Sequence, residues 1–159
     1  MDKLVATLLA WIVAQTGLAA PNPPRIVFVP KYQLSELYRG VSNGEREPQA
    51  IFSNIKGARN PNDPAGVQAF YVRDDATIYL QTDWRPVGLR NQSILLHELV
   101  HHVQRFNRVN PSCPGSLEKR AYDLQAEWLR ERSVRNPSEL IGSDQLTVAI
   151  LTACMPDDP

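Results

Sequence analysis

The sequence lacks a charge excess of either sign, an internal repeat and a hydrophobic run long enough to span a membrane. Lysine and arginine together number 17, as do aspartate and glutamate, so the formal net charge of the 159 residues is +0. Without a basic surplus to neutralise phosphates or an anionic bilayer, we expect neither nucleic acid nor a membrane as the main partner. The length suits a single domain, 1–159, with one hydrophobic core.

Cysteine is also scarce, with only Cys113 and Cys154 in the chain. The two are too far apart in sequence to form a metal-ligand pair. Cys113 lies in a proline-containing loop and Cys154 near the C-terminus, so a disulfide that ties down the tail is one interpretation, and two buried thiols are the other. Because a bridge needs an oxidising compartment, we favour an exported or periplasmic location over a cytoplasmic one.

The N-terminal stretch KLVATLLAWIVAQTGLAA supports two interpretations. Lys3, the apolar run and the small residues after it are typical of a secretory signal peptide. The apolar side chains, however, fall within one half of a helical wheel: Leu4, Val5, Leu8, Leu9, Ile12 and Val13. Because a signal peptide needs no such sidedness, we favour a retained helix within 1–20 that packs on the core, begun by Asp2 and ended by Gly17.

Strand patterns fill the first half of the chain and helical patterns the second. Apolar and β-branched residues predict a buried strand at 25–29 and a second strand at 49–55, with a short helix at QLSELY between them and a loop at 57–66. Asp74 and Asp75 separate two apolar segments, which predicts a hairpin. Helices are expected over 90–107, 116–135 and 138–154. Segregated strands and helices predict an α+β domain.

All three histidines lie within the six residues HELVHH. In a helix His97 and His101 are one turn apart on the same face and can direct ring nitrogens at one ion, with Glu98 beside them. The rest of the helix offers apolar residues to the core: Leu95, Leu96, Leu99, Val100, Val103 and Phe106. We therefore expect the histidines to face a cleft and bind zinc, with Glu98 as general base. A chance match on a solvated helix face is the alternative.

A catalytic zinc site needs a third protein ligand and an open position. The longer motif with a third histidine is excluded, because Gln104 and Asn107 stand where its glycine and histidine would be. Acidic residues on the next helix remain. On a helical wheel Glu118 lies on the inward arc with Gln125, whereas Glu127 lies on the opposite, charged side. An inward carboxylate needs a cationic partner, so Glu118 is the predicted third ligand.

HELVH, followed on the next helix by a Glu-x-x-Ala sequence at Glu118–Ala121, resembles the gluzincin branch of the HExxH metallopeptidases, and most closely small bacterial proteins of that type. The resemblance is specific over about 90–125. It implies a minimal zincin-like domain: an N-terminal helix and a small, mostly antiparallel sheet, then the HExxH helix and two further helices. It also implies Zn²⁺ held by the three ligands, and hydrolysis of a peptide or protein substrate by zinc-activated water with Glu98 as base.

The sequence leaves the roles of further catalytic groups open. Tyr122 and His102 are the candidates for stabilising an oxyanion, but each could only pack, and His102 could instead orient Glu98 or sit at the core boundary. The segment ATIYL, 76–80, either docks the substrate backbone by β-addition or is an ordinary core strand.

Two functions of different classes follow from the sequence. The first is a zinc-dependent peptidase, and the second is a catalytically silent zinc-containing module that binds peptides or a partner. The intact Glu98 favours the enzyme, because a structural zinc site needs no base. The small size and the absence of a histidine downstream of His102 favour the module.

Overall fold

The computed structural model describes residues 1–42, 49–52, 67–142 and 145–154. These residues form an α+β fold, as expected. Its helices and strands, in chain order, are α1 (Asp2–Thr16), β1 (Arg25–Val29), α2 (Lys31–Ser42), β2 (Gln49–Phe52), β3 (Val67–Val72), β4 (Thr77–Gln81), α3 (Leu89–Phe106), α4 (Pro114–Arg130), α5 (Pro137–Ile141) and α6 (Gln145–Leu151). The expected residues 53–55 of the second strand and the loop at 57–66 lie outside the described residues.

The four strands form one mixed sheet in the order β1-β4-β3-β2. The expected hairpin is confirmed as β3 and β4, which pair antiparallel, as do β2 and β3, whereas β1 runs parallel to β4. Because β1 lies at the sheet edge, only Val29 of this strand is buried and Phe28 is 44% exposed. The expectation of a buried strand at 25–29 was therefore wrong.

The position of β4 also decides between the two interpretations of ATIYL. This strand is interior, with β1 hydrogen-bonded along one edge and β3 along the other. Its backbone groups are therefore already paired, and a substrate strand has no edge of β4 on which to add. The β-addition hypothesis for 76–80 was wrong, and the ordinary core strand was right: Ile78 and Leu80 are fully buried.

Two hydrophobic cores lie on opposite faces of the sheet. The smaller core packs α2 on one face, through residues such as Leu34, Phe70 and Val72. The larger core packs α1, α3 and α4 on the other face, around Tyr71 and Leu96. Buried apolar area of this kind is the main stabilising contribution to folding, and it holds α3 between the sheet and two helices.

Helix α1 packs against α3 through the apolar face that the sequence predicted. Val5, Leu8, Leu9 and Ile12 are buried. The helix ends at Gly17 in the left-handed conformation, φ 67°, as expected. Asp2 was wrongly expected to cap the start: Met1 is the N-cap, and Asp2 lies in the first turn, where its charge favours the helix dipole. None of the helices in the described ranges combines the length and hydropathy of a membrane span.

The C-terminal part differs from the single helix expected over 138–154. Gly142 adopts a left-handed conformation with φ 78° and ends α5, and α6 follows as a separate helix. Cys113 and Cys154 form a disulfide with a Cα–Cα distance of 5.6 Å, so the disulfide interpretation is confirmed. The segment after α6 crosses the start of α4 closely, since a Cβ on Gly115 would lie 2.7 Å from the carbonyl oxygen of Ala153.

Candidate metal centre

Helices α3 and α4 bring three metal-binding side chains together. Nε2 of His97 lies 3.2 Å from Oε2 of Glu118, and Nε2 of His101 lies 3.3 Å from Oε1 of the same carboxylate. The donor atoms of the three residues are all within 4.8 Å of one another, so the group could hold a metal ion. These are the three ligands that the sequence predicted. Glu127, the competing acid, is exposed on the other side of α4.

The ligands are more deeply buried than the sequence suggested. His97 and His101 are fully buried, and the side chain of Glu118 is 15% exposed. Helix α4 packs along the ligand face of α3, and the ring of Tyr122 lies edge-on against His97 with 4.7 Å between ring centroids. The expectation that the histidines face an open cleft was therefore wrong, because the helix that supplies the third ligand also covers the first two.

A glutamine orients the ring of His97. Nδ1 of His97 is 3.2 Å from Oε1 of Gln125, and Nε2 of Gln125 donates a hydrogen bond to Oγ of Ser93. Because the amide nitrogen of Gln125 is already used as a donor, its oxygen faces the ring and accepts the proton of Nδ1. With its proton on Nδ1, neutral His97 would carry the lone pair on Nε2, which lies 3.2 Å from Oε2 of Glu118, and this is the tautomer that a metal ligand needs.

A second glutamine does the same for His101. Nδ1 of His101 is 3.0 Å from Oε1 of Gln104, whose Nε2 donates to the carbonyl oxygen of Leu117. Sequence reasoning gave neither glutamine a role. The signal was present, since Gln104 follows His101 by three residues and Gln125 follows Glu118 by seven, so each recurs on the ligand face at helical spacing.

Burial and mutual charge set the ionisation of the ligands. Burial lowers the pKa of His97. Burial also lowers the pKa of His101, but the negative charge of Glu118, supported by that of Glu98, outweighs it and leaves this pKa raised. Burial alone would raise the pKa of Glu118, yet the two histidines hold it well below its usual range. Glu118 is therefore ionised at ordinary pH, as a carboxylate ligand must be.

Glu98, the predicted general base, lies beside the ligands in the interior. It follows His97 in α3 and is fully buried. Its charge contributes to the raised pKa of His101, which places the carboxylate within electrostatic reach of that ring. Tyr122 likewise lies at the centre through its ring contact with His97. The structure thus brings together five of the six residues that the sequence nominated.

His102 is the sixth and points elsewhere. Its Nδ1 lies 3.1 Å from the hydroxyl of Tyr71, and its Nε2 lies 2.8 Å from the carbonyl oxygen of Asn22. Burial raises the pKa of Tyr71 to about 12, so the hydroxyl keeps its proton and donates to Nδ1, while Nε2–H donates to the carbonyl. With both nitrogens engaged there, His102 occupies the core boundary, which was one of the alternatives for this residue.

Comparison with protein families matches residues 46–158 to a domain of unknown function, DUF6647. The match covers more than half of the chain and includes both α3 and α4. The chain belongs to the DUF6647 family. Comparisons with curated proteins and with solved structures found no match.

In this DUF6647 chain all donor atoms lie within 4.8 Å of one another, and the two histidine–glutamate distances are close to those around a small ion in tetrahedral coordination. Ligand distances of about 2.0 Å imply about 3.3 Å between two ligand atoms, and the two nitrogen–oxygen distances are 3.2 and 3.3 Å. Charge-assisted hydrogen bonds between such groups are shorter, about 2.7–2.9 Å. Nε2 of His101 is buried and makes no hydrogen bond to any described residue, although a carboxylate oxygen is nearby. An ion bound between them would give both Nε2 of His101 and the carboxylate oxygen of Glu118 a partner.

Proposed function

We propose that the protein is a zinc-dependent metallopeptidase that hydrolyses peptide bonds. The observation that carries the proposal is the convergence of Nε2 of His97 and Nε2 of His101 on the two oxygens of Glu118, at 3.2 and 3.3 Å. Two imidazoles and one carboxylate are the donor set of catalytic zinc sites, which keep a fourth position open, whereas structural sites are closed by four protein ligands.

The donor types favour zinc over the common hard cations. Calcium and magnesium take oxygen ligands almost throughout, and a pair of neutral imidazoles is poorly matched to either. Bound between these side chains, zinc would polarise a peptide carbonyl and lower the pKa of a water molecule toward ~7. Gln104 and Gln125 support this use by fixing the tautomers of the two histidines.

Glu98 supplies the proton transfer in the proposed reaction. Its carboxylate lies in the water-poor interior beside His97 and His101, where it accepts a proton from the attacking water and returns it to the departing amine. Tyr122 is the proposed donor to the oxygen that gains charge, because its ring packs against His97 at the centre.

A catalytically silent zinc-containing module that binds peptides or a partner is the second candidate. The observation that favours it is burial: in the described part of the chain, His97, His101 and Glu98 have no solvent exposure. A substrate carbonyl must reach the open position of a catalytic site, whereas a structural site is closed.

Zinc content and peptide turnover, measured on the native chain and on Glu98→Gln, separate the two candidates. For the peptidase we expect both proteins to hold about one zinc per chain, because Glu98 is not a ligand. Turnover of a broad peptide library should fall by about 10²–10⁴-fold in Glu98→Gln, because the general base is lost. Glu127→Gln is the matched control, since it removes the same charge from the exposed side of α4.

Zinc in both proteins with turnover in neither would contradict the peptidase and support the module. Absence of zinc from the native chain after zinc loading would contradict both candidates.

A further inference from the structure

A cavity lined by arginines lies near the metal centre. Its volume is about 460 Å³, which lies in the range of ligand-binding pockets. The described residues that line it include Arg73, Arg105 and Arg108. None of the described lining residues is acidic. The charged part of this lining is therefore entirely positive.

The cavity lies on the same face of α3 as the metal ligands. Gln104, which accepts the Nδ1 proton of His101, is part of the lining, and so is Leu117, which precedes the ligand Glu118. Arg105 follows His101 by four residues, or one helical turn, and Arg108 follows one turn later, just past the end of α3. The cavity therefore begins about one helical turn beyond His101, next to the hydrogen bond from Gln104 to the carbonyl oxygen of Leu117.

Two of the arginines carry charges that no described residue neutralises. Neither Arg105 nor Arg108 makes an ion pair or a side-chain hydrogen bond with a residue in the described ranges. Arg73, directly after β3, approaches from the sheet side. Clustered guanidinium groups repel one another unless an anion lies between them, and their planar donors suit the two oxygens of a carboxylate.

The backbone at Arg108 is also unusual. This residue has φ 51°, a left-handed conformation that a glycine adopts without a steric penalty. Arginine therefore occupies a position just after the helix end at which the backbone alone would favour glycine. What arginine adds there is its side chain, which lines the cavity.

We infer that this cavity binds a carboxylate of the substrate and so selects peptides that carry a negative charge on one side of the cleaved bond. The inference rests on the proposed peptidase function, since it takes the substrate to be a peptide. Arg105 lies about 6 Å beyond His101 along the helix axis. An extended peptide advances about 3.3 Å per residue, so the carboxylate belongs about two or three residues from the cleaved bond. A C-terminal carboxylate and an acidic side chain share this chemistry.

Binding of three labelled six-residue peptides tests the inference. The first has a free C-terminus and no acidic side chain, the second is amidated and contains one glutamate, and the third is amidated without any acid. Fluorescence anisotropy is measured on zinc-loaded Glu98→Gln, in which cleavage does not interfere. We expect one or both carboxylate peptides to bind at least tenfold more tightly than the neutral one, and the tighter of the two identifies the source of the charge.

Arg108→Gly, made in the same background, removes the guanidinium while relieving the left-handed backbone. Its melting temperature should be unchanged or higher, whereas its preference for the carboxylate peptide should fall to less than threefold. Arg105→Gln should reduce the preference in the same direction. Arg130→Ala is the control, because it removes one positive charge from an exposed position on α4 and should keep the full preference.

Equal affinity for the three peptides, or no measurable binding of any, would overturn the inference. The inference would also be overturned if the Arg108→Gly protein kept its preference for carboxylate peptides. The arginines would then only stabilise the C-terminal end of α3, which carries the negative end of the helix dipole. Failure of the proposed function is read separately, from zinc content and turnover of the native chain, because the binding assay requires no hydrolysis.

Discussion

Replacing Glu118 by alanine should greatly weaken zinc binding, whereas replacing Glu127 by alanine should not. Both changes remove a carboxylate from α4. Glu118 lies 3.2 and 3.3 Å from the two histidine nitrogens, and Glu127 is exposed on the opposite side of the helix. Both variants lose one negative charge and replace a glutamate by alanine in the same helix. A difference between them in zinc affinity therefore reports the contribution of the Glu118 carboxylate at the metal centre.

The magnitude follows from the position of Glu118. Loss of a residue that only orients a ligand typically costs 10–100-fold in metal affinity, so loss of one of three direct ligands should cost more than about 100-fold. That factor corresponds to at least about 2.7 kcal/mol. With free zinc at about 100 times the native dissociation constant, stabilisation by zinc would fall from about 2.7 to about 0.4 kcal/mol.

Melting temperatures with and without a strong chelator provide the assay, alongside competition with a chromophoric chelator. At this chain length about 2.7 kcal/mol corresponds to roughly 5–10 °C. The native chain and Glu127→Ala should both lose that much on chelation, because zinc bound between α3 and α4 stabilises only the folded state. Glu118→Ala should lose about 2 °C or less. Comparing the zinc-dependent change within each protein cancels any effect of the mutation on the apoprotein.

Native zinc affinity in Glu118→Ala would refute the ligand assignment. A large loss in Glu127→Ala would refute the orientation of α4. An unchanged melting temperature in native protein shown to have lost its zinc would contradict a metal that holds α3 and α4 together.

Two further changes test the support of the centre. Gln125→Leu removes the acceptor for Nδ1 of His97, so zinc affinity should fall by about 10–100-fold in chelator competition; native affinity would show that the hydrogen bond does not fix the tautomer. Replacing Cys113 and Cys154 by serine opens a loop with a sequence separation of 41 residues, so the free energy of unfolding in urea should fall by about 4 kcal/mol. Two free thiols in the mass spectrum of unreduced native protein would contradict the bridge.

Several helical features of the fold could be predicted from the sequence because their signals are local. The apolar face of α1 and the left-handed Gly17 each depend on neighbours within a turn or two, and both were correct. The assignment of Glu118 and Glu127 to opposite sides of α4 follows from the same 100° repeat. Phe106, wrongly placed on the core face, is 53% exposed because it is the last residue of α3 and extends beyond the packed layer.

The sheet could not be predicted in the same way, because strand pairing is not local. Residues 25–29 have the composition of a buried strand, but their burial depends on where the strand lies in the sheet. It pairs with β4, about fifty residues later, and no strand of the described residues pairs with its other side. The same pairing makes β4 an interior strand, so a substrate strand cannot pair with it. The role of His102 stayed open between alternatives for a related reason, since its partners Tyr71 and Asn22 are distant in sequence.

The geometry of the metal centre depends on the tail as well as on the ligands. Cys113 is the N-cap of α4, and the disulfide ties it to Cys154. Gly115 allows residues 152–153 to pass against the first turn of the helix, where any larger residue would meet backbone atoms at 2.7–2.9 Å. Glu118 lies about one helical turn after Cys113 and Gly115. The disulfide and the close crossing at Gly115 therefore restrain the position of Glu118 before a metal binds. A restrained ligand loses less conformational entropy on binding, and we therefore expect reduction of the bridge to weaken zinc affinity as well as stability.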